Sequence, residues 1–421
     1  MKDVQNQGPV MSGIALSAIY LIARWVTGYV LLIGPEAMIT VGLYAGVGVA
    51  LFGTLSFILF SPIAKQVRTQ YSDYGNLREF LSDNMSEHGS KVMRMIIFGI
   101  GFTGLVLQAI AGGTVLFAIF NIPVSLATLI YLLVSYLYSI IVGGERLRKY
   151  RPYNVGFLYF LLIILLIYFF ILDGIETAFA GIRLYHPYLL ILNWPEMLVF
   201  IGAGALVMLG QLIVDPVTWR QVFQTEKEKA GKTFLFTSAI WGTIPLAFSI
   251  MFVTVISTGG FTNMYGVLDQ FFAHIKLPAL FVLFSLLLLL ILFSTFNSVL
   301  LEVSKTLKPK QTRGSVVKQY FWLVIPVAVV CIALLEFREE GLLELFYEFG
   351  IFYAAAISPI SIMVYKKEKG DLKVPVCILS GAVIGYFSLL FLNVYGSIFI
   401  SALFSLLISL ALMNRDIRQQ I

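Results

Sequence analysis

Twelve apolar stretches run through this sequence from end to end, each about 17 to 25 residues long and so able to cross a bilayer as a helix. They cover 11–34, 37–60, 95–119, 123–143, 154–172, 196–214, 233–257, 277–301, 319–335, 342–364, 374–392 and 397–413. Lipid offers backbone groups no water, so each stretch must satisfy its own hydrogen bonds, which makes it a helix. The expected fold class is an all-α integral membrane protein of about 12 transmembrane helices, with one polytopic membrane domain taking in residues 1–421. Composition agrees: 59% of the 421 residues are hydrophobic and 12% charged, against roughly 25% charged in a soluble protein. The first stretch is too long for a signal-peptide core and is followed by no small-residue cleavage pattern, so it counts as a span.

Charge placement tests this map. The chain holds 29 Lys and Arg against 23 Asp and Glu, a net +6. With the N-terminus in the cytoplasm, the inner connections carry 25 of the 29, among them Lys65, Arg68, Arg146, Arg148, Lys149, Arg151, Lys305, Lys308, Lys310 and Lys366. The outer connections carry only Arg183, Lys276 and Arg338, and Arg24 falls inside a span. One missed helix would scramble this asymmetry downstream, so it supports a cell (cytoplasmic) membrane location with both termini cytoplasmic. The basic excess belongs to a bilayer surface, and nucleic acid is not an expected partner. Cys331 and Cys377 both lie in apolar runs and offer no disulfide framework or thiolate metal cluster. Oligomeric state is not encoded in any of these features.

Few residues carry chemistry. Gly99-Ile-Gly101-Phe-Thr-Gly104 has the dinucleotide-binding spacing, but it lies inside the third stretch rather than in a strand-to-helix turn, which favours close helix packing. Paired histidines, nucleophile elbows and phosphate loops are missing, so no cofactor is expected and an enzyme is disfavoured. Arg24 is the most informative residue, because a charge at the centre of a span costs roughly 2.5 to 3.5 kcal/mol on insertion scales. It lies about 15 Å from the outer end of its span and Glu348 about 9 Å, from the helical rise, so the two are candidates for an ion pair. Structural pair and functional charge stand as equal readings. Gln108, central in the third stretch, is either interhelical glue or a ligand. Gly202, Gly204 and Gly210, with Asp215-Pro216 behind them, mark either an interrupted helix or close packing. Ser294, Thr295, Asn297 and Ser298 form a polar cluster whose oxygens bond back to their own helix or hold a hard monovalent cation. Glu302 and Lys305 are expected to snorkel at the inner end.

Several of these segments resemble the sodium-solute symporter family, which includes proline, sugar and sialic-acid symporters. Pro278, with Ser294-Thr295 later in the same stretch, resembles the family span that ends in a Ser-Thr pair. Asp215-Pro-Val-Thr-Trp219-Arg220-Gln-Val-Phe is similar to the segment after the sixth core helix. Phe349-Gly350 through Ala354-Ala-Ala-Ile-Ser-Pro359 is similar to the tenth, and Tyr74 to Leu81 and Gly143-Gly144 also fit. The matches cover most of the chain in the right order.

The resemblance implies a leucine-transporter-type fold of two inverted five-helix repeats, 11–173 and 196–364, with two extra helices in 374–413. Five spans per repeat forces opposite orientations, in agreement with the charge map. It further implies a small organic solute bound at mid-bilayer among spans 1, 3, 6, 8 and 10, near Arg24, Gly28, Gln108 and Gly204. A sodium ion, the only metal implied, would sit between spans 1 and 8 on Ser294 and Thr295. The chain departs from the family at Ser17, where coupled members can have aspartate. Arg24 falls close to the solute and ion region, the Thr-Asp pair expected after Gly143-Gly144 is replaced near Arg151-Pro152, and Arg220-Gln221 inverts the expected order. The family's extra N-terminal helix is not found ahead of the first stretch. The expected function is secondary transport by alternating access, with sodium as a candidate coupling ion. The rivals are a sodium-independent exchanger or facilitator in which Arg24 replaces the cation, a non-transporting membrane sensor, and a membrane enzyme.

Overall fold

The computed structural model describes residues 12–142, 144–259, 263–307, 313–337, 341–366 and 370–413. They fold into nineteen α-helices: α1 (Ile14–Trp25), α2 (Gly28–Thr40), α3 (Ala45–Gln70), α4 (Leu77–Asn84), α5 (Glu87–Phe120), α6 (Val124–Val142), α7 (Gly144–Asp173), α8 (Ile175–Tyr185), α9 (Trp194–Val214), α10 (Pro216–Gln224), α11 (Ala230–Trp241), α12 (Thr243–Ile256), α13 (Met264–His274), α14 (Pro278–Leu307), α15 (Arg313–Phe337), α16 (Leu342–Ala355), α17 (Ile357–Lys366), α18 (Lys373–Ser388) and α19 (Val394–Met413). Among the described residues there is no sheet, and one isolated bridge, Ser12 to Thr225, ties the start of the chain to the segment after α10.

Ten helical segments are long and apolar enough to cross a membrane, and α1 with α2, bent by 66° at their junction, makes an eleventh. The one remaining stretch of the sequence map, 374–392, corresponds to α18, whose 16 residues span about 24 Å at 1.5 Å per residue, short of a bilayer core of about 30 Å. The chain is thus a multi-pass membrane protein. Lipid-facing stripes are plain on the outer helices: Leu126, Leu129, Leu133 and Leu137 on α6, and Leu403, Leu406, Leu407 and Leu410 on α19, are all exposed at the spacing of one helix face.

The opposite face of α19 is a fully buried serine ridge, Ser397, Ser401, Ser405 and Ser409. Ser401 and Ser405 donate to the carbonyls of Ile351 and Ala355 on α16, at 2.8 and 2.6 Å. Gly381 and Gly385 of α18 lie so close to Ser405 and Ser401 that side chains there would clash. Small residues allow this close approach where lipid gives no hydrophobic drive to helix association.

Two interruptions organise the middle of the molecule. The first follows Trp25, where Val26 and Thr27 leave helical geometry before Gly28 starts α2. The second is at Asp215. A residue ahead of proline is pushed out of the helical region, Asp215 is extended, its side chain caps the Thr218 N–H, and Pro216 opens α10 at a position that needs no donor. Gly202, Gly204 and Gly210 do not break α9. They pack against Phe399, Phe52 and Tyr353 in turn.

The connections differ from the sequence map. Residues 35–36, left between the first two stretches, are helical, with α2 continuing to Thr40. Glu36 is buried where its carboxyl group meets Gly341 and accepts the N–H groups of Leu342 and Leu343, at the positive end of α16. The connections also contain α4, α8 and α13, short helices that hydropathy alone does not reveal.

Candidate functional site

A cavity of about 60 Å³ lies where the two interruptions meet α5 and α14. Arg24, Trp25 and Tyr29 come from the first interruption, Gln211, Val214 and Asp215 from the second. α5 contributes Ile97, Ile100, Gly101, Gly104 and Gln108, and α14 contributes Val299, Glu302, Val303 and Thr306. Ile97, Pro216, Glu302 and Thr306 also line a wider vestibule of about 510 Å³ beside α4, so the cavity continues toward that face. Toward the other face it is covered by aromatic rings, with Tyr29 against Phe346, Phe346 stacked on Phe52 and Phe52 edge-on to Phe200, at 6.1, 5.8 and 6.1 Å between centroids.

The centre of the site is an ion pair between the two interruptions. Arg24 Nη2 donates to Asp215 Oδ1 at 2.7 Å, and both side chains are about nine-tenths buried, at 10% and 8% exposed. Asp215 Oδ2 accepts from the Thr218 N–H and hydroxyl at 2.8 and 2.7 Å, and the Thr218 oxygen accepts from Trp25 Nε1 at 3.0 Å. Arg24 lies in the last turn of α1 and Asp215 caps the start of α10, so each charge also meets the favourable end of a helix dipole. The guanidinium stands 5.2 Å from the centre of the Trp25 ring, within cation–π range.

This overturns the pairing of Arg24 with Glu348. Glu348 is half-buried on α16, and its carbonyl accepts from the Tyr386 hydroxyl. Depth arithmetic brought the two to similar levels but took no account of helix rotation, nor of Asp215 lying at cavity level. Glu302 does not reach outward to solvent as a snorkelling side chain would, whereas Lys305 is 37% exposed. Glu302 is 11% exposed and its Oε1 accepts from Arg220 Nη2 at 2.7 Å and from Lys305 at 3.4 Å, which joins α10 to α14.

Of the remaining candidates, Gln108 lines the cavity, its oxygen accepting from the Thr295 hydroxyl at 2.8 Å. Ser294 and Thr295 are buried and are not among the residues that line the cavity. Gly28 is held against Leu292 of α14, and Gly204 against Phe52 of α3, so both serve helix contact. The carbonyl of Trp25, exposed by the end of α1, accepts from Trp241 Nε1 at 3.0 Å. Among the described residues no group of three or more His, Cys, Asp or Glu converges on a metal-sized site. Sequence reasoning missed Asp215 as the partner of Arg24, Arg220 as the partner of Glu302, and Gly101 and Gly104 as cavity wall. The Asp-Pro pair was the signal available for the first.

No family model matches the chain, and no curated protein matches it in sequence. Solved structures do match it over nearly their full length. A Na+-coupled sialic acid symporter, substrate-bound and outward-open, is 13% identical with a TM-score of 0.63, covering 94% of each chain. Mhp1 in its inward-facing conformation is 14% identical with a TM-score of 0.56, over 97% of this chain and 91% of that one. A mutant of the manganese transporter of Eremococcus coleocola is 14% identical with a TM-score of 0.53, over 95% and 92%. The resemblance to sodium-solute symporters seen in short motifs therefore extends to the fold of the whole chain.

Proposed function

We propose that the protein is a secondary transporter that moves a small organic solute across the cell membrane by alternating access, without covalent chemistry. The observation that carries this reading is the cavity between two interrupted helices, reached from one face and covered by aromatic rings on the other. Interrupted helices present unpaired backbone dipoles and charges at mid-membrane, and here they place Arg24, Asp215, Tyr29 and Gln211 around one space, which Gln108 of α5 also lines. The structural neighbours, described as symporters and transporters, support it. In this reading 11–173 and 196–364 are inverted repeats, and the residues of 374–413 brace the second.

Coupling has two readings. In the first, sodium binds at Ser294 and Thr295 between spans 1 and 8. The second, sodium-independent exchange or facilitation with Arg24 in place of the cation, is favoured by three contacts: the Thr295 hydroxyl on Gln108, the Trp25 carbonyl on Trp241, and the guanidinium at the end of α1. A thermal-shift screen of amino acids, sugars and carboxylates on purified protein, in sodium and in potassium, tests both, since a ligand of the native state raises its stability. The first reading expects a solute that stabilises only in sodium, an effect lost in Ser294→Ala/Thr295→Ala at normal expression. Stabilisation equal in both salts and unchanged by the double substitution selects the second. A screen in which no solute stabilises the protein would count against transport and favour a sensor.

Orientation is tested independently. Arg183 and Lys227 are both exposed, while the native Cys331 and Cys377 are buried. Arg183→Cys should react with an impermeant thiol reagent on intact cells and Lys227→Cys only after permeabilisation. The reverse result would invert the assigned topology.

A further inference from the structure

The vestibule beside α4 has a charge imbalance that the central site does not use. Arg78, Arg94, Arg220 and Lys305 line it, against only Glu79 and Glu302. Glu302 is taken by Arg220 and Lys305. Glu79 is turned to its own helix start, accepting from the Gly75 N–H at 2.9 Å and the Asn76 amide at 2.7 Å. Arg78 and Arg94 therefore have no carboxylate at ion-pair distance among the described residues, although each is half-buried; the charge of Glu87, paired with Lys91, reaches Arg94 only at longer range. Arg94 spends its Nε on the Ser90 carbonyl at 3.2 Å, one turn back on α5. The two guanidiniums are close enough to feel one another: burial, and then the charge of Arg94, holds Arg78 below the usual arginine value.

Two cations facing one recess repel, and an oxyanion between them offsets the repulsion. Each guanidinium presents a rigid fork of donors that matches a carboxylate, and a cleft with low-dielectric walls concentrates that attraction. The recess is also continuous with the central cavity through Ile97, Pro216, Glu302 and Thr306. In the cavity itself the one guanidinium, Arg24, is already engaged by Asp215. We propose that the vestibule contains a second binding site, for a small organic carboxylate, formed by Arg78 and Arg94 with Ser82 at its edge, on the path between the central cavity and the α4 face. The assignment of the carboxylate as transported solute rests on the transport reading; the site itself does not.

The test uses purified full-length protein in non-ionic detergent, with acetate and succinate as probes and chloride holding ionic strength constant. Both probes should raise the melting temperature in a saturable way, succinate the more. Arg78→Gln/Arg94→Gln should bind at least about tenfold more weakly, from the loss of charge-assisted hydrogen bonds. Its melting temperature without probe should be no lower than that of the parent, because like charges are removed. Arg183→Gln, on the other face, should bind as the parent does. If the glutamine pair does not fold, Arg78→Lys/Arg94→Lys keeps the charge but loses the forks and should still weaken binding. Equal stabilisation of the double variant, or none of the parent, overturns the site. So does stabilisation through these arginines by phosphatidylglycerol alone, which would make the occupant a lipid headgroup. Carboxylate binding without uptake into vesicles would overturn the transport reading instead and leave the site standing.

Discussion

Arg24→Gln should destabilise the protein by about 3–5 kcal/mol, the usual cost of removing one partner from a buried ion pair, and should abolish solute uptake in reconstituted vesicles. The stranded group is Asp215, about nine-tenths buried and left with only the Thr218 N–H and hydroxyl. Those two donors keep part of its solvation, which argues for the lower half of the range. The informative experiment adds the partner change. Arg24→Gln/Asp215→Asn removes both charges and should recover most of the lost melting temperature, since the penalty comes from an unpaired charge rather than from the absence of the pair. Uptake separates the remaining roles. If it returns with stability, the pair only fastens the end of α1 to the start of α10. If stability returns and uptake does not, the charges act in transport. Arg24→Lys then asks whether the fork is needed: it keeps the cation but cannot reproduce the short Nη2 contact and the stacking on Trp25. A neutral effect of Arg24→Gln on both stability and uptake would remove the pair from the mechanism.

What could be read in the sequence follows from which physical constraint is one-dimensional. Span length is set by bilayer thickness, so of the twelve apolar runs eleven coincide with helices able to cross in the structure, and the Asp215-Pro216 pair offered an interruption as one of two readings because proline acts on its immediate neighbour. The partner of Arg24 depends instead on helix rotation. An amphipathic helix announces its buried face through polar residues opposite, but helices such as α14 and α9 are apolar nearly all round, so nothing in the sequence says which residues point inward. Position along a helix was readable, and the direction in which a side chain points was not. The same gap hid the wall-forming roles of Gly101 and Gly104. The burial of Glu36 was out of reach for a related reason: it is explained only by the start of α16, some three hundred positions later in the chain.

Gly104→Leu should eliminate uptake without weakening the fold, and it tests whether the cavity is the route of the solute. A Cβ built on Gly104 meets no atom within 4 Å, and the residue lines the central cavity, so added carbons extend into the open space rather than into a neighbouring helix. Leucine is also the better helix former, since glycine lies about 0.8–1.0 kcal/mol below alanine and leucine ranks just after alanine, and Gly104 lies well inside α5. The melting temperature should therefore hold or rise while transport falls to the level of protein-free vesicles. Gly104→Ala occupies little of the cavity and should keep most of the activity. Gly112, two turns on in the same helix, supplies the contrast: a Cβ there runs into the ring of Tyr131, and that ring is fixed by its hydroxyl on the Leu292 carbonyl at 2.8 Å. Gly112→Ala should lower stability and reduce uptake only in proportion to the folded protein lost. A Gly104→Leu protein that transports at the parent rate would place the route elsewhere and remove the main support for the central site.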